Sequence, residues 1–346
     1  MKYLFKILIL LFGTLSFSQE LIFENLFDSS LNSEIACYRI PSIVTSTNGI
    51  LIAAIDERNN TCGDLKWNRN INIVLRKSYD DGKTWTKIER IIDYPIGESA
   101  SDPSMIVDRQ TKDIFLFYNY MNLDKAKDIY RFMVIKSNDN GESWSSPKDI
   151  TDQITKKEWK NDFMFITSGR GIQSEDGILL HCLVNLNKGT HVFGSNDHGK
   201  NWFLIDYPLK PGDESKIIEL SNGDWLVNSR VNSNKFRYSH ISKDKGKSWL
   251  SFENKDLSDP ACNASIINYN ISSEKLLLFS NAFDSNERKN LSLSISYDQG
   301  MSWKNNKTIY KGSSAYSSMT KLKNGDVGLF FEKDNYTKNV FVRVPK

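Results

Sequence analysis

The sequence predicts an all-β fold, a six-bladed β-propeller, from two interleaved repeats and from the lack of any long helical period. The pattern Ser-x-Asp-x-Gly-x-x-Trp occurs five times without a mismatch, beginning at Ser78, Ser137, Ser195, Ser242 and Ser296. Between these octets a turn followed by an apolar run recurs at Asn48-Gly49, Lys112-Asp113, Asp176-Gly177, Asn222-Gly223, Glu274-Lys275 and Asn324-Gly325. Strands without intervening helices exclude βαβ units. A β-sandwich would not repeat one turn octet five times, whereas radial repetition of a four-stranded unit does.

In chain order, Lys2 and Lys6 precede the apolar run Ile7–Phe12, and small residues follow up to Ser18-Gln19. That order predicts a secretory signal peptide over residues 1–18 and hence an exported protein, periplasmic or secreted. The run is shorter than the ~20 residues needed to span a bilayer, so no membrane span is expected in the mature chain. No Pro- or Ser-rich linker interrupts residues 19–346, which therefore read as a single domain. Each octet reads as a hairpin turn: Ser and Asp side chains bond backbone amides, and Gly supplies a positive φ. The Trp folds back as an apolar plug on a neighbouring strand, a structural role rather than a ligand contact. The apolar runs behind the other turns, such as Ile50–Ala54 and Ile114–Phe117, read as buried strands of successive units.

Composition removes several classes of function. At 39% hydrophobic residues the 346-residue chain is too apolar for disorder, and a net charge of +3 without a basic block gives nucleic acid no footprint. The four cysteines and four histidines form neither CxxC nor HExxH, so no metal is expected. No GxSxG, P-loop or GxGxxG is present, which leaves serine-hydrolase chemistry and a nucleotide cofactor without support.

The turn octet resembles the Asp-box, or BNR repeat, which catalytic and purely binding propellers share. Tyr38-Arg39-Ile40-Pro41 resembles the (F/Y)RIP motif of exo-α-sialidases and stands, as in that family, before the first octet. The resemblance extends over the whole mature chain. Asp56-Glu57-Arg58 with Asp64 resembles the segment of a binding arginine and the catalytic acid, and Ser101-Asp102-Pro103 that of a substrate-contacting aspartate. Gly169-Arg170-Gly171 resembles a glycine-rich strand entry. Glu214 with Arg230 resembles the catalytic glutamate and second arginine, Arg288 the third arginine, and Tyr316 and Glu332 the nucleophile and final glutamate.

The resemblance implies a retaining exo-α-sialidase acting on sialylated glycans, with no cofactor. A trans-sialidase sharing the site and a non-catalytic Asp-box propeller are the alternatives. Sialosides carry a carboxylate on the anomeric carbon, which suits a triad of forked, permanently charged guanidinium groups, here Arg39, Arg230 and Arg288. That carboxylate would repel an Asp or Glu nucleophile, so a neutral tyrosine, Tyr316, fits, with Glu214 as its base. Asp64 is expected as acid and then base. Glu332 is expected to brace Arg39, while Arg58 and Asp102 are expected to bind hydroxyl or amide groups. Trp159, Phe163 and Met121 are candidates for an apolar N-acetyl patch. Cys37 and Cys62 flank the converging Arg39 and Asp64 segments and are expected to form a disulfide. Cys182 and Cys262 are expected as buried thiols.

Overall fold

A computed structural model describes residues 20–271 and 274–346, and the expected leader, residues 1–18, lies outside the described residues. Among these residues the fold is all-β, with five hydrogen-bonded sheets and one α-helix of four residues, Thr151–Ile154. Two sheets are simple antiparallel four-stranded meanders. One runs Ile35–Thr45, Leu51–Asn59, Ile71–Ser78, Glu89–Ile92, and the other Ser215–Glu219, Trp225–Ser229, Phe236–Ser242, Leu250–Ser258.

Between them, Glu98–Val107 heads a third sheet and takes Gly169–Arg170 as a parallel neighbour. A fourth sheet is built on Leu179–Asn185 and Gly189–Ser195, both buried at every position. The seven-stranded sheet turns on one long strand, Lys304–Lys321: up to Ser313 it pairs with Lys289–Ser296, and from Ser314 it pairs with Val327–Lys333. The first strand, Phe23–Asp28, closes this sheet by pairing antiparallel with the last, Lys338–Val344.

The core lies between consecutive sheets. Val44 and Ile52 of one sheet pack with Met105, Ile114 and Leu116 of the next. Ile106 and Phe117 of that sheet pack in turn with Leu179, Leu183 and Phe193. Leu180, Ile217 and Ile266 share a further cluster across three sheets.

The octets build one turn five times. In the first, Ser78 Oγ accepts the amide of Gly82 at 2.8 Å and donates to Asp80 Oδ1 at 2.9 Å, which also accepts the amide of Thr84 at 2.9 Å. Both central residues have positive φ, 59° at Asp81 and 85° at Gly82, the type I′ geometry that suits a right-twisted hairpin. A side chain at Gly82 would also strike the Phe341 ring, 2.2 Å from an ideal Cβ, so only glycine lets this turn seat on the adjoining sheet. The tryptophans pack across the same gap: Trp85 meets Phe341 edge-on at 5.2 Å, and Trp202 meets Phe117 at 5.0 Å.

Candidate active site

Three strand irregularities present the expected residues. Pairing slips between Arg39 and Ser42, between Ser101 and Ser104, and between Ser314 and Ser317. The second and third bulges contain Asp102 and Tyr316, and the first begins directly after Arg39, so each irregularity re-aims a side chain in or beside it. Two of these stretches hold a non-glycine residue at positive φ, Ile40 at 70° and Asp102 at 63°. A β-branched residue in that region is strained and persists only where its surroundings fix it. Glu332 does so at the first bulge: it accepts the Ile40 amide at 2.9 Å, Arg39 Nε at 2.7 Å and the Tyr316 amide at 3.0 Å. One buried carboxylate thus ties the Arg39 and Tyr316 strands together.

Around the Tyr316 ring stand three guanidinium groups. The Cζ atoms of Arg39 and Arg288 each lie 5.4 Å from its centroid, and Arg230 Nη1 donates to its hydroxyl at 3.1 Å. Arg230 Nη1 also donates to Glu214 Oε2 at 2.5 Å, so phenol and carboxylate meet on one nitrogen; no Tyr316–Glu214 hydrogen bond is present among the described residues. Arg288 donates to the Ala261 carbonyl at 2.9 Å and to the Tyr336 hydroxyl at 3.3 Å, and pairs with no carboxylate among the described residues. Burial drives the Tyr316 phenol well above its ordinary pKa of 10, the Glu214 charge adds to the rise, and the arginines oppose it. The phenol is neutral at physiological pH.

Opposite, Asp64 has a 65% exposed side chain and accepts Arg58 Nη1 at 2.7 Å. Its partial burial works to raise its pKa, but the Arg58 charge and hydrogen bond outweigh this and hold Asp64 below the usual carboxylate range. Arg58 itself does not line the cavity. Its side chain is 1% exposed, gripped by Asp56 through Nε at 3.1 Å and Nη2 at 3.0 Å, and by the Cys62 carbonyl at 2.9 Å. The expected ligand contact from Arg58 is therefore corrected: with four donor contacts already satisfied by protein, it positions Asp64 from behind.

Asp56, which the sequence reading left without a role, is the hub of this wall. It also accepts the Ser101 hydroxyl at 2.6 Å and the Asp102 amide at 2.9 Å. Asp102 faces the cavity and takes Asn119 Nδ2 at 2.9 Å; burial and the neighbouring Asp56 charge push its pKa upward. Cys37 and Cys62 form a disulfide that joins the Arg39 strand to the Asp64 loop, while Cys182 and Cys262 are buried free thiols.

Arg39, Arg230, Arg288, Tyr316, Glu214, Asp64 and Asp102 line a cavity of ≈ 400 Å³. Of the three apolar candidates only Phe163 reaches it. Trp159 and Met121, 4% and 0% exposed, belong to the core, because the sheets close over them. The apolar wall is completed by Tyr130, Phe165 and Leu186, with Trp67 on the rim, none of which the sequence singled out. Asp213 was also missed: its carboxylate accepts Asn232 Nδ2 and the Glu214 amide, and burial beside Glu214 raises its pKa. Adjacency to Glu214 was its only sequence signal.

A family profile described as a BNR repeat-like domain matches residues 61–329. The chain belongs to the BNR repeat-like domain family. Among relatives of the family, a sialidase of Micromonospora viridifaciens is 32% identical over 85% of this chain, and one of Bacteroides fragilis 29% identical over 86%. The aligned stretch spans 50% and 60% of those proteins, respectively. Among solved structures, a Hadza microbial sialidase superposes with a TM-score of 0.82 at 26% identity, covering 91% of this chain and 66% of that one.

Proposed function

We propose that this BNR-repeat chain is an exo-α-sialidase that releases terminal sialic acid from glycoconjugates with retention of configuration. The observation that carries the reading is the set of three arginines around one buried neutral tyrosine, of which Arg288 has no carboxylate partner among the described residues. Such a site has an excess of forked positive charge, and its complement is a carboxylate next to the reacting carbon.

In the proposed reaction the substrate carboxylate takes the guanidinium forks of Arg39, Arg230 and Arg288. Drawing Arg230 onto substrate frees Glu214, whose carboxylate shares the Arg230 Nη1 contact with the phenol. Glu214 then accepts the proton of Tyr316, and the phenol oxygen attacks the anomeric carbon. Asp64 protonates the departing glycosidic oxygen, the bond to the aglycone breaks, and a sialyl–tyrosine bond forms. In the second half, Asp64 takes a proton from water, whose oxygen attacks the same carbon. Tyr316 leaves and recovers its proton from Glu214. Glu332 holds Arg39 and the Tyr316 backbone in place; Asp102 binds hydroxyl or amide groups, and Phe163 with its aromatic neighbours receives the N-acyl group.

The same reading counts six blades in one domain, with the seven-stranded sheet taken as two blades sharing the strand Lys304–Lys321. Export follows from the leader at residues 1–18, and a disulfide at Cys37–Cys62 suits an oxidising compartment. A fluorogenic sialoside assayed from pH 4 to 8 tests the function. Release of free sialic acid, first as the α-anomer, is expected. An anhydro or transferred sugar product would replace hydrolysis by trans-sialylation, and binding without release at any pH would make the chain a non-catalytic propeller.

A further inference from the structure

The strands that carry the candidate site end in a second cavity. Ile35–Thr45 presents Arg39 near its start and Thr45 at its end, Ser215–Glu219 begins beside Glu214, and Lys304–Lys321 runs past Tyr316 to Lys321. Their far ends enclose a space of ≈ 670 Å³, separate from the Tyr316 cavity. Arg170 lines it. One of its terminal nitrogens donates to the Met319 carbonyl at 3.0 Å, and its buried Nε has no hydrogen-bond partner. No carboxylate pairs with it among the described residues. Burial lowers its pKa to about 10, which still leaves it charged at neutral pH.

We propose that this second cavity binds a small oxyanion, a carboxylate or phosphate group, on the Arg170 guanidinium. A charge withdrawn from water without a partner is costly, and a fold keeps one where a ligand supplies the partner. Arg170 is half-buried, has no carboxylate partner among the described residues, and lines the cavity. Arg109, Lys321 and Lys323 also line the space, and none of them is in an ion pair among the described residues. Both terminal nitrogens of Arg109 are taken by the carbonyls of Gln173 and Ser174, so it adds field while Arg170 offers the fork. Glu175 and Glu219 stand against these four cations, and Glu219 is engaged by the Glu175 amide. The balance favours an anion, and a guanidinium fork favours a planar or tetrahedral oxyanion over a halide.

The test titrates the full chain calorimetrically with inorganic phosphate, with acetate and with chloride at constant ionic strength, beside Arg170→Gln. Anions held by Arg39, Arg230 and Arg288 contribute equally to both proteins, so the difference reports the second cavity. Saturable binding of phosphate or acetate, weakened at least about tenfold in Arg170→Gln with sialoside turnover unchanged, is expected. The tighter of the two anions identifies the recognised group. Equal affinity in both proteins, or no saturable oxyanion binding to the unsubstituted chain, overturns the proposal. Should Arg170→Gln fail to fold, selenate soaked into crystals of the unsubstituted chain decides: an anomalous peak within hydrogen-bond distance of Arg170 supports the site, and an empty cavity overturns it.

Discussion

The octet turns and the Tyr316 cavity use the same residue types to opposite ends. In the turns, Ser, Asp and backbone amides no more than four residues apart satisfy one another, and the pattern repeats at Ser78, Ser137, Ser195, Ser242 and Ser296. In the cavity the ties around Tyr316 that join separate strands are long-range and occur once: Glu332 meets Arg39 across 293 positions, and Arg230 meets Tyr316 across 86. Local satisfaction yields rigid, interchangeable supports. Distant satisfaction leaves charge over, as at Arg288, and that surplus is available to a ligand.

If the contrast holds, substitutions divide cleanly between turnover and stability. The largest effect is expected from Tyr316→Phe, which keeps the packed ring and removes one hydroxyl. Turnover of a sialoside should fall by about 10³-fold or more while the melting temperature stays put. A planar unsaturated sialic-acid analogue should still bind, because the arginines remain. Trp202→Ala should do the reverse, costing roughly 3–5 kcal/mol of stability as a buried aromatic truncation, with KM unchanged in the folded fraction. Lost binding at an unchanged melting temperature would place Trp202 in the site instead.

Arg230→Lys is next in size. It retains charge but loses the fork, and kcat/KM should drop by about tenfold or more, ~1.4 kcal/mol. A smaller drop would count against the arginine triad.

The pH profile sharpens the other wall. Arg58 favours ionised Asp64, so an acid role requires protonation against that charge, and activity on a poor leaving group should decline as pH rises. Removing the charge with Arg58→Met raises the Asp64 pKa and should move that alkaline limb to higher pH. A good phenol leaving group should flatten the limb in both proteins. An unmoved limb would assign it to another group.

The smallest effect belongs to the turns. Hydrogen bonds from Ser and Thr side chains and from backbone amides hold Asp80, Asp139 and Asp244 down to about 2. Their contribution to stability is complete above the unfolded carboxylate value near pH 4 and is lost as pH falls from about 4 to about 2. Asp80→Asn should lower the melting temperature slightly at neutral pH and make it less steep in acid. An unchanged slope would show that these bonds form equally in the unfolded chain.

The same contrast explains what was legible in the sequence. The turns were readable because all their partners fall inside one octet, and the strands because apolar runs follow them. The bulges were not readable, since nothing about Ile40 marks a left-handed residue; its conformation is imposed by Glu332 from the far end of the chain. Arg58 was given a ligand contact by its resemblance to a binding-arginine segment, and nothing in the sequence marked its burial against Asp56. Trp159 and Met121 were drawn toward the site by residue type, while sheet packing placed them in the core. Tyr336, which lies 4.1 Å from the Arg39 guanidinium and bonds Arg288, carried no motif at all.

Treatment of the chain with a fluorinated sialosyl fluoride, followed by peptide mass spectrometry, asks most directly whether the tyrosine among the arginines is the nucleophile. A single sialyl label on Tyr316, absent from Tyr316→Phe, is expected. A label on Asp64, Glu214 or any other carboxylate would contradict it.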